Sequence, residues 1–92
     1  MVISVRDVVA ACDTNAHGEV LFSEIAPYLI ADQQVAIDFS GVFNVTSSFV
    51  NSSFVELVDQ FGTKQVQRLV VLQGVNRQIG AMIKARLAKQ FA

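Results

Sequence analysis

The sequence holds one cysteine, one proline, one histidine and no tryptophan. A lone cysteine, Cys12, can close no internal disulfide, which suits a reducing compartment. Cys12 and His17 also lack a second ligand pair at metal spacing, so no zinc site is expected and both are assigned packing or surface roles. The five glycines are scattered singly. Neither a P-loop nor a G-x-G-x-x-G turn is present, and no cofactor is expected. If ATP matters here, a partner holds it. No G-x-S-x-G elbow marks a nucleophile. Asp38, near a group of serines, is the only titratable candidate for an active site, and the expectation is a protein that is not an enzyme. No apolar run approaches the roughly 20 residues of a membrane span, and no basic-then-apolar leader opens the chain. The plain expectation is a soluble cytoplasmic protein with no membrane role.

What is present is apolar. Hydrophobic residues make up 52% of the 92 and charged ones only 16%, which excludes a disordered chain and fits one domain, residues 1–92. That surplus exceeds what so small a domain easily hides, so a homodimer or an obligate partner is expected. The charges are sorted along the chain. All eight acidic residues lie between Asp7 and Asp59, while Lys64, Arg68, Arg77, Lys84, Arg86 and Lys89 follow Gly62. A basic last helix suits its own C-terminal dipole. A nucleic-acid surface through Arg77, Lys84, Arg86 and Lys89 is the less favoured reading, because no aromatic residues interleave them.

The most informative stretch runs from Val35 to Phe61. Val35-Ala36-Ile37 reads as a buried strand ending at Asp38, with a loop from Ser40-Gly41 onward. Val50, Phe54, Leu57, Val58 and Phe61 then fall at helical spacing on one face, and Gly62 stands at the C-cap. Thr46, Ser47 and Ser48 gather at the start of that helix, where unpaired N–H groups and the positive dipole end favour hydroxyls and negative charge. Met1–Val5 reads as a first strand. Strand and helix compete over Val5–Val9; Ser4 with Asp7 looks like a helix start, and a short helix through Ala11 follows from it. Asp13-Thr14-Asn15 caps a second helix through Leu21, Phe22, Ile25, Tyr28 and Leu29, with a kink or tightened turn expected near Ser23–Pro27. Gly18 is expected to pack closely against the sheet. Thr63–Gln67 reads as a polar turn, Leu69–Leu72 as another buried strand adjacent to Val35–Phe39, and Asn76 as the cap of a helix striped by Ile79, Ile83, Leu87 and Phe91. The alternation implies an α/β fold, a small, mainly parallel sheet of three to four strands with packed helices.

Ile37-Asp38-Phe39-Ser40-Gly41-Val42, followed by Thr46-Ser47-Ser48-Phe49, resembles the central segment of STAS domains, the fold of bacterial anti-sigma-factor antagonists. Thr46 stands in place of that family's Asp, Ser47 in place of its phosphorylatable serine, and Phe49 in place of its glycine. Asp38 to Val42 and Ser48-Phe49-Val50-Asn51 are nearer to a subgroup of short bacterial STAS-like proteins of unassigned function. Gly18–Leu29 and Leu69–Leu87 fit the same subgroup. The resemblance implies a regulatory protein-interaction module switched among partners such as a histidine-kinase-like ATPase or an anti-sigma factor. It makes Ser47 the phosphoacceptor candidate with Ser48 as its rival, and Thr46, Ser47, Ser48 and Asn51 the partner-binding candidates. The rival expectation is that both serines are helix caps, in a structural homo-oligomeric domain.

Overall fold

The structure, a computed structural model, describes residues 1–91, with side chains described through Leu87. Three strands, β1 (Val2–Ser4), β2 (Val35–Asp38) and β3 (Val70–Gln73), form one sheet in the order β1-β2-β3, all parallel. The register sets Ile3 beside Ile37 and Ile37 beside Leu72, and on the other face Val2, Ala36 and Val71 in one row. This is the expected α/β architecture. Only β2 is central, however. The Leu69–Leu72 run, read as a buried strand, begins one residue later and lies at an edge, with Val71 and Leu72 each 38% exposed.

Parallel neighbours joined in the order 1-2-3 by right-handed crossovers carry their helices onto one face. Burial follows that rule. Ile3, Val35, Ile37 and Phe39 are buried on the covered face, whereas Val2 on the other face is 55% exposed.

Between β1 and β2 lie the single turn α1 (Val5–Val8) and α2 (Asn15–Ile30). The contest over Val5–Val9 resolves to helix, but α1 stops at Val8, and the Ser4 side chain makes no capping bond. Thr14 caps α2, its hydroxyl accepting from His17 N–H at 3.1 Å. Leu21, Ile25 and Leu29 are buried at i, i+4 and i+8. The helix continues through Pro27 to Ile30. The tightening comes after it, where Gln33 N–H donates to Tyr28 C=O at 2.8 Å and Asp32 N–H to Leu29 C=O at 3.1 Å. This is a Schellman ending, with Asp32 at φ 57° in the left-handed position that glycine ordinarily takes.

After β2, one helical stretch comprises α3 (Ser47–Val50), a π-helical turn (Asn51–Val55) and α4 (Glu56–Phe61); together they are the central helix. Val50, Phe54, Leu57 and Val58 are buried as the spacing requires, and Phe61 is half-buried. The π turn leaves Ser53 fully buried, with its hydroxyl donating to Phe49 C=O at 2.7 Å. Gly62 ends the helix at φ 89°, ψ 154°, a backbone region open essentially to glycine alone. Gly18 packs against this helix and not against the sheet. A Cβ at Gly18 would meet Phe49 C=O and Ser52 Cβ.

Thr63–Gln67, read as a turn, belongs to helix α5 (Thr63–Leu69). Lys, Gln, Arg and Leu are good helix formers, and Val66 and Leu69, three apart, are its buried pair. Asn76 caps α6 (Arg77–Phe91) as expected, accepting from Ile79 N–H at 2.8 Å. Ile79 and Ile83 are buried and Leu87 half-buried. The side chains of Lys89 and Phe91 lie outside the described residues. Among the described residues Phe39, Phe49 and Phe54 are the largest fully buried side chains, each contributing roughly 1.5–3 kcal/mol by leaving water.

Candidate functional site

At the carboxyl end of β2 the chain leaves the sheet through Phe39–Val45 and enters the central helix at Thr46. Asp38 opens this passage. Its Oδ1 accepts from the Ser40 hydroxyl at 2.7 Å and from Ser40 N–H at 2.9 Å. Those two bonds, the hydroxyl's first, hold its carboxyl below the usual carboxylate range. A carboxylate stabilised in this way is a weaker base. Gly74, at φ 64°, lies against the same turn, and a Cβ there would stand 2.6 Å from Ser40 Oγ and 2.7 Å from Asp38 Oδ1.

The loop is tied down from both sides. Gln78 holds Val45 at both ends, its Oε1 accepting from Val45 N–H and its Nε2 donating to Val45 C=O, each at 3.1 Å. Asn76 Nδ2 donates to Phe43 C=O at 2.7 Å, and Thr46 N–H donates to Cys12 C=O at 3.0 Å. With its backbone anchored, the loop nevertheless turns the Phe43 ring outward, 84% exposed. Behind Phe43 a cleft of about 310 Å³ runs between this loop and the α1–α2 connection, past Val5, Arg6, Val9 and Cys12. Cys12 is buried, and burial, then the adjacent Asp13 carboxylate, push its thiol up to about 11.

The four partner-binding candidates occupy distinct places. Thr46 is the N-cap, its hydroxyl accepting from Phe49 N–H at 3.3 Å. The capping role expected of all three hydroxyls therefore falls to Thr46. Ser47 and Ser48 are the first two helical residues, both half-buried. Among the described residues neither hydroxyl has a hydrogen-bond partner in the protein. One turn on, Asn51 Oδ1 accepts from Arg86 Nε at 3.1 Å, tying the start of the π turn to α6. Ser47 precedes Asn51 by four residues and so shares the flank toward α6; Ser48 shares that of Ser52, whose hydroxyl donates to Asn15 Oδ1 on α2. Thr46, Ser47 and Ser48 thus stand together, and Asn51 faces a neighbouring helix.

The remaining candidates separate from this end. His17 Nδ1 lies 3.1 Å from Asp13 Oδ1 and 2.9 Å from Thr14 Oγ1, a local cluster at the start of α2. Among the described residues no three of His, Cys, Asp and Glu are grouped to hold a metal. Of the basic residues, Arg68 pairs with Asp32 and Arg86 bonds Asn51, while Arg77 and Lys84 are exposed. No helix among the described residues is long and apolar enough to cross a membrane. Phe43 escaped the sequence reading. It breaks no periodic pattern, and only the pinned loop around it decides that it points outward.

A family model described as "STAS-like domain of unknown function (DUF4325)" matches residues 17–79. No curated protein and no solved structure matches the chain. The matched span runs from the first turn of α2 to the first turn of α6, well over half of the sequence, and takes in both the anchored loop and the serine-bearing helix start. The chain belongs to the STAS-like domains of unknown function.

Proposed function

We propose that this protein is a non-enzymatic regulatory module that docks a protein partner with the end of the domain bearing Phe43, Ser47 and Ser48. One observation carries the reading: a fully helix-compatible serine pair with unengaged hydroxyls stands close in sequence to an 84% exposed phenylalanine on a loop whose backbone is pinned. An exposed aromatic on a preorganised loop loses little entropy on docking and is the kind of side chain that anchors an interface. The depressed Asp38 carboxyl, engaged by Ser40, supports a structural role for this acid.

Phosphorylation of Ser47, with Ser48 as the rival, is the switch in this reading. A phosphate brings about −1.5 to −2 charge. At a helix start the free N–H groups favour that charge, so the fold survives while the docking surface changes. The partner is a histidine-kinase-like ATPase or an anti-sigma factor, the class that the resemblance to anti-sigma-factor antagonists supports.

The test places a photo-crosslinking phenylalanine analogue at position 43 in cells, identifies the captured protein, and measures its affinity for purified variants. Phe43→Ala and Ser47→Asp should each weaken the complex at least tenfold, about 1.4 kcal/mol, with Ser48→Asp as the parallel arm. Affinities unchanged in all three variants would remove this end of the domain from the interface.

A further inference from the structure

The open edge of β3 carries a second surface. Phe39 N–H donates to Gln73 C=O at 2.9 Å, which sets the peptide groups of Gln73, and of Val71 two residues earlier, toward β2. These groups alternate sides along a strand. Leu72 therefore turns its N–H and C=O, and Val70 its C=O, away from β2 at the sheet's edge. Among the described residues β3 pairs with no strand on that side. Nor does it carry the usual guards of an edge: Val70–Gln73 contains no proline and no charge, and its register runs without a bulge.

Beside this edge a groove of about 270 Å³ opens between β3, α5 and α6, lined by Phe54, Val66, Val70, Leu72, Ile83 and Leu87. Leu72 lies on the helix-covered face and is still 38% exposed, because no side chain among the described residues fills the groove beyond it.

Charge selects the occupant. From Thr63 to Leu87 the sequence contains Lys64, Arg68, Arg77, Lys84 and Arg86 and no Asp or Glu. Arg68 and Arg86 are engaged by Asp32 and Asn51, leaving Lys64, Arg77 and Lys84 exposed. Lys84 stands three residues before Leu87, and Lys64 three before Gln67, which also borders the groove. Residues so spaced are neighbours on a helix surface, so α5 and α6 each carry an exposed lysine one turn from a residue that lines the groove. A second copy pairing edge to edge would set these like charges against each other.

We propose that the β3 edge accepts an extended segment of a partner protein, apolar at alternate positions and flanked by Asp or Glu. Its main chain bonds Leu72 and Val70, alternate side chains enter the groove, and its carboxylates meet Lys64 and Lys84. This surface goes beyond the docking end at Ser47, and neither depends on the other.

The test uses two synthetic peptides of alternating valine and threonine, one flanked by aspartates and one by lysines. The aspartate-flanked peptide should bind, and the lysine-flanked one at least tenfold more weakly. Combining Lys64→Glu with Lys84→Glu should invert that preference. At saturation the Leu72 amide should exchange with solvent at least tenfold more slowly, and Ser47→Asp should leave peptide affinity unchanged. Equal binding of both peptides, binding of neither, or an unprotected Leu72 amide in the bound state would overturn the proposal. So would self-association dissolved by Leu72→Lys, which would make a second copy the occupant.

Discussion

Gly18 on α2 lies so close to Phe49 on the central helix that a Cβ added to it would stand 2.5 Å from the Phe49 carbonyl oxygen and 2.8 Å from Ser52 Cβ. The nearest obstacle is backbone, which cannot rotate away. In an open helix, replacing glycine by alanine gains about 1 kcal/mol; overpacking typically costs about 1–3 kcal/mol, and more where backbone must move. Gly18→Ala should therefore destabilise the protein by about 1–2 kcal/mol net in denaturant unfolding. A raised midpoint would show that the two helices separate freely.

Phe54 is 1% exposed, and its ring meets that of Phe39 at 6.1 Å between centroids, tilted by 38°. It joins the central helix to β2. Phe54→Ala should cost about 3–5 kcal/mol, the range for large buried aromatics. A loss under about half a kcal/mol would contradict the placement of this helix face.

Thr46 and Ser47 separate capping from signalling. Thr46→Ala removes the acceptor for Phe49 N–H and should cost about 1 kcal/mol. Ser47→Ala removes no bond and should change stability by less than about half a kcal/mol, while abolishing phosphate incorporation if Ser47 is the acceptor. Thermal unfolding of the two variants distinguishes the residues, and the opposite ranking would make Ser47 the cap.

Cys12 gives the protein an alkaline dependence. Its thiol ionises at about 11 in the fold against 9.0 ordinarily, first from burial and then from Asp13. Between those values the folded state keeps a proton that the unfolded state has lost, so stability falls as pH rises from 9.0 toward 11. Below that window this group contributes no pH dependence. The stability difference between the protein and Cys12→Ala should accordingly shift against the protein across this window and be flat below it. Near neutral pH a thiol reagent should modify the folded chain at least tenfold more slowly than the unfolded one. Equal rates would place Cys12 at the surface.

The strand–helix alternation, the buried face of the central helix and the caps at Thr14 and Asn76 were legible in the residues because each depends on local periodicity or on one side chain reaching its own helix. Ser47 and Ser48 were legible as a helix start for the same reason, and the resemblance to STAS domains rested on that local wording. Which hydroxyl caps was not legible, since Thr46, Ser47 and Ser48 are all competent and the backbone's point of entry into the helix chooses among them. Nor was the state of Leu69–Leu72. An apolar run reads alike at the centre of a sheet and at its edge, and only the order β1-β2-β3 put β3 outside. Thr63–Gln67 became helix because Val66 and Leu69 found a surface to bury against. Phe43 was turned outward by bonds to Asn76 and Gln78, more than thirty residues away in sequence. Local pattern thus determined which segments are helix and strand in most of the chain, because hydrogen bonding and side-chain period act over a few residues. Tertiary structure decided which apolar groups stay exposed, because burial depends on what the rest of the chain brings alongside.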